Sequence, residues 1–415
     1  MENVIRPLSP SKSKMILTLL LDLDDTLLES NMDVFIPAYF QKLAEFLENW
    51  ISPETLIKYL FVGTRAMIAN ERADCTLKEV FDAHFYPNLA VDRDILAPKI
   101  SQFYDEIFPT LRGLTHPIPA AVGFVEWALK QGYRIGIATN PLFPQKAIYH
   151  RLHWAGLPPE NYPFMVISSY EEFHFSKPNP AYFAEVLARM GWPEGKVILA
   201  GDDLERDIKP AQRLGLQTYR IVRQNSNLLD GDPPSVYGTL EEFQSWLESD
   251  YPNALPEESQ SYDASIAILQ STPAALFGML SAEPVACLNN RPNSKEWRII
   301  DILCHLRDVE REVNLPLFKS VLDHINSHID RMDPEKRGKK HDYEIEDNSK
   351  ALHEFVALRS QTLGLLKPIM PDDFIQIDHP SSYNPTSFKE IVKMSTFHDQ
   401  EHIRQIWKVL HGENG

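Results

Sequence analysis

The chain has 415 residues, 43% of them apolar and 24% charged. That composition supports two or three globular domains and excludes a fibrous, collagen-like or disordered chain. Its 41 Lys and Arg face 58 Asp and Glu, a formal net charge of −17; such a surface repels a phosphate backbone, so nucleic acid is not an expected partner.

The polar lead MENVIRPLSPSKSK runs into MILTLLLDLDD (15–25), a short apolar stretch ending on acidic residues. It reads as a buried strand, too short to cross a membrane and followed by no cleavage site. Residues from about 30 to 112 carry helical spacing, as in Phe35, Tyr39, Leu43 and Leu47. Strand and helix then alternate. Strands are expected at 133–139, 165–169, 196–202 and 217–222, and helices at 119–130, 145–152, 180–190, 207–214 and 239–247. Short apolar strands between helices predict a parallel sheet covered on both faces, an α/β fold of Rossmann-like type. The Pro-, Ser- and Glu-rich stretch at 251–263 reads as a linker. Helical patterns follow at about 264–281, 294–314, 347–367 and 386–410, which predicts an all-α antiparallel four-helix bundle over 264–412. The charged connection 330–346, with its basic run Lys336 to Lys340, reads as a solvated loop. Cys75, Cys287 and Cys304 are too scattered for a disulfide framework or a CxxC site and suggest a reducing, cytoplasmic setting.

Chemistry concentrates at the predicted strand ends, where ligands bind in open α/β sheets. Asp22 and Asp24 share one parity after the first strand, Thr139 and Asn140 follow the second, Lys177 the third, and Asp202, Asp203 and Asp207 the fourth. Clustered carboxylates repel unless a cation or proton offsets them, and Mg²⁺ does so with oxygen ligands. A carboxylate nucleophile, hydroxyl and amide donors, an ammonium and metal-binding carboxylates make an inventory for phosphoryl transfer. DLDDT, the Thr of IATN, the Lys of SKPNP and GDDLERD resemble, in order, the four motifs of haloacid dehalogenase-like (HAD) hydrolases, across residues 15–250. The resemblance implies an attacking Asp22 and a proton-shuttling Asp24 whose backbone carbonyl also ligates Mg²⁺. Thr139, Asn140 and Lys177 would hold the phosphoryl group, Asp202 would be a metal ligand, and Asp207 would stand just outside it, with Asp203 the weaker candidate. Asp24 favours a phosphatase over a dehalogenase. Lys209-Pro210 departs from the family, where a glycine is common. The helical segment at about 30–112 resembles the family's inserted cap, to which Arg65, Arg72 and the Trp50 region could contribute. The substrate implied is a small phosphorylated metabolite.

His398 and His402 stand at i and i+4, where two imidazoles reach one ion, and His305 lies on another long helix. Ile391, Met394, His398 and Gln405 share roughly one face, expected to point inward. WRIIDILCHLRDVERE and TFHDQEHIRQIW resemble the DinB-like (YfiT-like) four-helix bundles. That resemblance implies a divalent metal, Zn²⁺ or Ni²⁺ or a similar ion, on His305, His398 and His402. Cys304 points about 100° away from His305 and is a poor fourth ligand. Three roles stay open for this half: accessory metal site, the principal chemistry as a thiol transferase or metal-dependent hydrolase, or a module for pairing with a second copy or another partner.

Overall fold

The computed structural model describes residues 17–223, 236–249, 261–281, 283–291, 296–322, 347–369 and 388–412. Most of the 251–263 stretch, the 330–346 connection and its basic run lie outside them.

Strand β1 (Thr18–Leu21) is buried on both faces, which is why it reads as an unbroken apolar run. Next come β2 (Leu28–Ser30) and the cap helices α1 (Met32–Leu47), α2 (Pro53–Ile68), α3 (Leu77–Phe85) and α4 (Arg93–Glu106). Sequence chemistry sets the starts of three of them. Ser52 accepts from Thr55 N ahead of Pro53, Thr76 and Glu79 form a capping box, and Asp92 accepts from Asp94 N. Strand β3 (Thr115–Pro117) returns antiparallel to β2, so the cap hangs from a two-stranded ribbon.

The core continues through α5 (Pro119–Lys130), β4 (Arg134–Ile137), α6 (Gln145–Trp154), β5 (Val166–Ile167), α7 (Pro180–Arg189) and β6 (Val197–Gly201). A π-helical turn (Leu204–Ile208) leads into α8 (Lys209–Arg213), β7 (Gln217–Ile221), β8 (Val236–Gly238) and α9 (Leu240–Glu248). The sheet is parallel throughout, in the order β5-β4-β1-β6-β7-β8. Register pairs Leu21 with both Ile137 and Ala200, so Asp22, Thr139 and Asp202 emerge together at one sheet edge.

Helices α10 (Tyr262–Leu280), α11 (Ile299–Val309), α12 (Leu315–Leu322), α13 (Asn348–Leu366) and α14 (Phe388–His411) form the bundle; a π-helical turn (Glu310–Asn314) joins α11 to α12. Helix α10 packs on α7 as well as on α13 and α14. Residues Ala181 to Ala188 of α7 are all buried, sheet on one side and bundle on the other. A helix buried all round, with its one buried carboxylate, Glu185, paired to His174, is the signature of that sandwiched position. One apolar cluster accordingly runs from Leu20 and Leu199 of the sheet through α7 to Ala267, Ala274, Ile302 and Ile406 of the bundle. No described helix is long and apolar enough to cross a membrane.

The inward face of α14 differs from the expectation. Ile391 is buried, but Met394 is 59% exposed and Gln405 is also exposed. The buried sector holds Val392, Ser395, Asp399, Ile403 and Ile406. At 100° per residue, Met394 and Gln405 fall beyond its edge and His398 on its rim.

Candidate active site and metal centre

Asp22 follows the last residue of β1, its N–H donating to Ala200 O at 2.9 Å. Its carboxylate is nearly buried. Lys177 Nζ donates to Asp22 Oδ1 at 2.7 Å, and Thr26 Oγ1 donates to Oδ2 at 3.3 Å. The Lys177 ammonium also pairs with Asp207. Carboxylate oxygens of Asp22, Asp202 and Asp207 lie within 4.8 Å of one another. The Asp207 side chain therefore stands beside Asp22 and Asp202. Asp203 faces the other way and caps the π turn, accepting from Glu205 N and Arg206 N. Thr139 is buried, and its carbonyl accepts from Tyr182 Oη at 2.6 Å and Ser168 Oγ at 2.7 Å. Asn140 Oδ1 accepts from Lys177 N at 3.3 Å, tying the second strand end to the loop that carries the lysine.

Charge is unbalanced here. Burial, and then the neighbouring Asp22 and Asp207 carboxylates, push Asp202 up to about 8. Burial and Asp22 push Asp207 up to about 7, even though Lys177 opposes the shift. Burial would lower the Lys177 ammonium, but Asp207 and Asp22 outweigh it and the net shift is upward. Three carboxylates and one ammonium cannot all hold full charge at this spacing. An all-oxygen set of this kind suits a hard divalent cation.

The Asp24 carboxylate is not part of this cluster. It pairs with Arg151 of α6, a residue only 1% exposed. The guanidinium lies over Phe35 of α1 at 5.7 Å and over Phe143 at 5.5 Å. Burial lowers Arg151 to about 10, against the pull of Asp22. The sequence reading passed over this arginine. Its one signal is spacing: Arg151 shares the buried stripe of Ile148, Leu152 and Trp154. The cap residues singled out beforehand lie elsewhere. Arg72 is exposed and pairs with Asp74, Arg65 is exposed, and Trp50 takes a cation–π contact from Lys99.

In the bundle, His305 Nε2 and His402 Nε2 lie 2.9 and 3.1 Å from His398 Nε2. His402 Nδ1 is 2.9 Å from Gln405 Oε1, an acceptor that fixes the proton on Nδ1 and leaves Nε2 bare. Burial and mutual repulsion push His305 and His398 down to about 3. Three imidazoles with their Nε2 atoms aimed at one point form a ready metal tripod. Trp297 covers it, stacked near-parallel on His402 and edge-on to His305. Cys304 is buried in the apolar cluster, away from the tripod. Behind the tripod, Arg359 of α13 donates to Asp399 Oδ2 at 2.5 Å, Glu310 Oε2 at 3.0 Å and Leu269 O at 3.0 Å. One buried guanidinium thus ties all four helical layers.

Residues 16–215 match the family model of haloacid dehalogenase-like hydrolases, and residues 268–406 that of the DinB superfamily. The chain carries a haloacid dehalogenase-like hydrolase domain followed by a DinB-superfamily domain. A glyceraldehyde 3-phosphate phosphatase of Methanocaldococcus jannaschii is 30% identical over 32% of this chain and 57% of its own length. One of Methanopyrus kandleri is 27% identical over 50% of this chain and 85% of its own length. The chain thus spans little more than half of the first relative. Among solved structures, the four-helix bundle YfiT of Bacillus subtilis is 21% identical, with 38% of this chain and 92% of that one covered, at a TM-score of 0.33.

Proposed function

We propose that the first domain is a Mg²⁺-dependent phosphatase that acts on a small phosphorylated metabolite through an aspartyl-phosphate intermediate. The observation that carries this reading is the meeting of Lys177, Asp202 and Asp207 on the Asp22 carboxylate. An Asp22 oxygen attacks phosphorus, the phosphorus–oxygen bond to the alcohol breaks, and Asp24 gives the leaving oxygen its proton. Water then attacks the acyl phosphate, yields its proton to Asp24, and releases orthophosphate from a regenerated Asp22. Lys177 holds phosphoryl oxygens and offsets their charge, with Thr139 and Asn140 shaping the same cradle. Asp22, Asp202 and the Asp24 carbonyl would hold Mg²⁺, with Asp207 beside them and paired to Lys177. Mg²⁺ held there would supply the charge neutralisation that the crowded Asp22, Asp202 and Asp207 carboxylates call for. The names of the two archaeal relatives favour a substrate of triose-phosphate size. The test is turnover of a panel of small phosphate esters with and without Mg²⁺, for the parent and Asp22→Asn. Equal turnover by the variant would overturn the reading.

The bundle is read as a second metal site on His305, His398 and His402, suited to Zn²⁺ or Ni²⁺. The convergent imidazole nitrogens support it. Metal content of the purified chain, compared with that of His398→Ala, tests it. Activity lost with His398 but not with Asp22 would instead move the principal chemistry into the bundle.

A further inference from the structure

Arg151 sits where core meets cap. Its helix, α6, is the seat on which the cap rests. Lys146 reaches Asp105 at 2.6 Å, His150 Nε2 lies 3.1 Å from Tyr104 O, and Trp154 stacks on Phe108 at 5.5 Å. Within this seat the Arg151 guanidinium occupies a slot walled by Phe35 of the cap and Phe143 of the core, with its charged end on Asp24. A buried guanidinium is tolerated only against an anion, and the aromatic faces add cation–π attraction. Four aspartates, Asp22, Asp24, Asp202 and Asp207, share this sheet edge with two buried cations, and three of them have an ion pair to one. Lys177 takes Asp22 and Asp207, and Arg151 takes Asp24.

We infer that Arg151 is a positioning residue that holds the Asp24 carboxylate at the cap–core joint, and that Phe35 makes this hold depend on the cap being seated. The inference rests on the phosphatase reading of the same site. Asp24 serves twice, as acid toward the leaving alcohol and as base toward water. A loosened Asp24 slows both steps, but a leaving group that needs no proton escapes the first penalty.

The experiment compares an alkyl phosphate with p-nitrophenyl phosphate, using the full chain in Mg²⁺, for the parent, Arg151→Met, Arg151→Lys and Phe35→Ala. For Arg151→Met, kcat on the alkyl ester should fall about 10- to 100-fold with KM within about twofold, less than the roughly 10²- to 10⁴-fold that general acid–base catalysis supplies, because Asp24 is loosened and not removed. On p-nitrophenyl phosphate the first turnover should stay fast and later ones slow, so a burst of nitrophenol approaching one per enzyme should appear. Arg151→Lys, which keeps the charge but not the planar guanidinium between the two rings, should fall between, and Phe35→Ala should show a weaker form of the same pattern. Equal losses on both esters with no burst, or a rise in KM alone, would overturn the assignment. If Arg151→Met does not fold, as judged by its melting temperature, Arg151→Lys and Phe35→Ala carry the test alone. A parent that turns over neither ester, or an Asp22→Asn variant that turns over both, would fail the phosphatase reading instead.

Discussion

Gly191, just past the end of α7, offers a quantitative probe of how the two domains meet. Its φ is +74°, and a Cβ built there would lie 2.6 Å from Cγ and 2.7 Å from Cδ2 of Trp407. The Trp407 ring belongs to α14, the helix that carries His398 and His402, and only 9% of the residue is exposed. His411 stacks on it at 4.2 Å, and Arg404, one turn earlier on the same helix, donates to Trp192 O at 3.2 Å. Gly191→Ala therefore carries two penalties. Left-handed backbone costs a non-glycine residue about 1–2 kcal/mol. Pushing the indole away adds about 1–3 kcal/mol of overpacking. The expected loss is about 2–5 kcal/mol. In a Trp407→Ala background the second penalty vanishes, so the same substitution should cost only about 1–2 kcal/mol, a coupling of about 1–3 kcal/mol. Urea unfolding of all four variants, followed by near-UV circular dichroism and by far-UV signal to detect separate domain transitions, measures it. A Gly191→Ala penalty that is unchanged when Trp407 is absent would refute the packing argument, leaving backbone strain alone.

Two further outcomes follow from buried charge. Arg359→Met strands Asp399 and Glu310 in the bundle core and should cost about 3–5 kcal/mol, whereas adding Glu310→Leu and Asp399→Leu should recover most of it; a single variant as stable as the parent would count against the triad as the joint between helices. In the metal-stripped protein, His305 and His398 resist protonation down to about 3, while in the unfolded chain they titrate near the ordinary value of 6.5. The unfolded state then binds more protons, so stability should fall as pH drops from about 6.5 toward about 3, by at most about 1.4 kcal/mol per pH unit for each histidine. The double variant His305→Asn/His398→Asn should show a shallower slope in the same melts, and an identical slope would refute the burial account.

Much of this architecture was legible because its signals are redundant. The strands that make the sheet are buried on both faces, so their apolar runs stand out, and the polar residues that end them mark the site edge. The likeness of four ordered motifs placed Asp22, Thr139, Lys177 and Asp202 on one edge, although 155 positions separate Lys177 from Asp22. Strands β2, β3 and β8 were not read, because three residues are too few to show a period. Arg151 and Arg359 escaped for a different reason. A helical arginine is ordinarily solvated, and only its tertiary partners reveal one that is buried. The i,i+4 histidines were plain, but the face they share was drawn too far toward Met394 and Gln405. A sector inferred from a few apolar positions can rotate by a residue without any local conflict.

The corner between α2 and α3 decides what the cap can do, and its contacts are unequal. On the core side Asn70, a buried residue, donates to Arg72 O at 2.9 Å and to His174 O at 2.8 Å. Leu77 N and Lys78 N donate to Phe173 O and Tyr170 O, each at 2.7 Å. On the bundle side Gln270 donates to Glu71 O at 3.1 Å, and Lys367 pairs with Glu71 at 2.6 Å. The Glu71 side chain is 69% exposed, so that ion pair is worth about 0–1 kcal/mol. Removing the Asn70 amide leaves the buried His174 carbonyl unmet, at a cost of about 1–3 kcal/mol. Asn70→Ala should therefore speed amide exchange at Leu77 and Lys78 by about 5- to 150-fold, while Lys367→Ala should change it by no more than about fivefold, since 1.4 kcal/mol is one decade. Equal acceleration in both variants would mean that the bundle, rather than the loop leading to Lys177, anchors the cap.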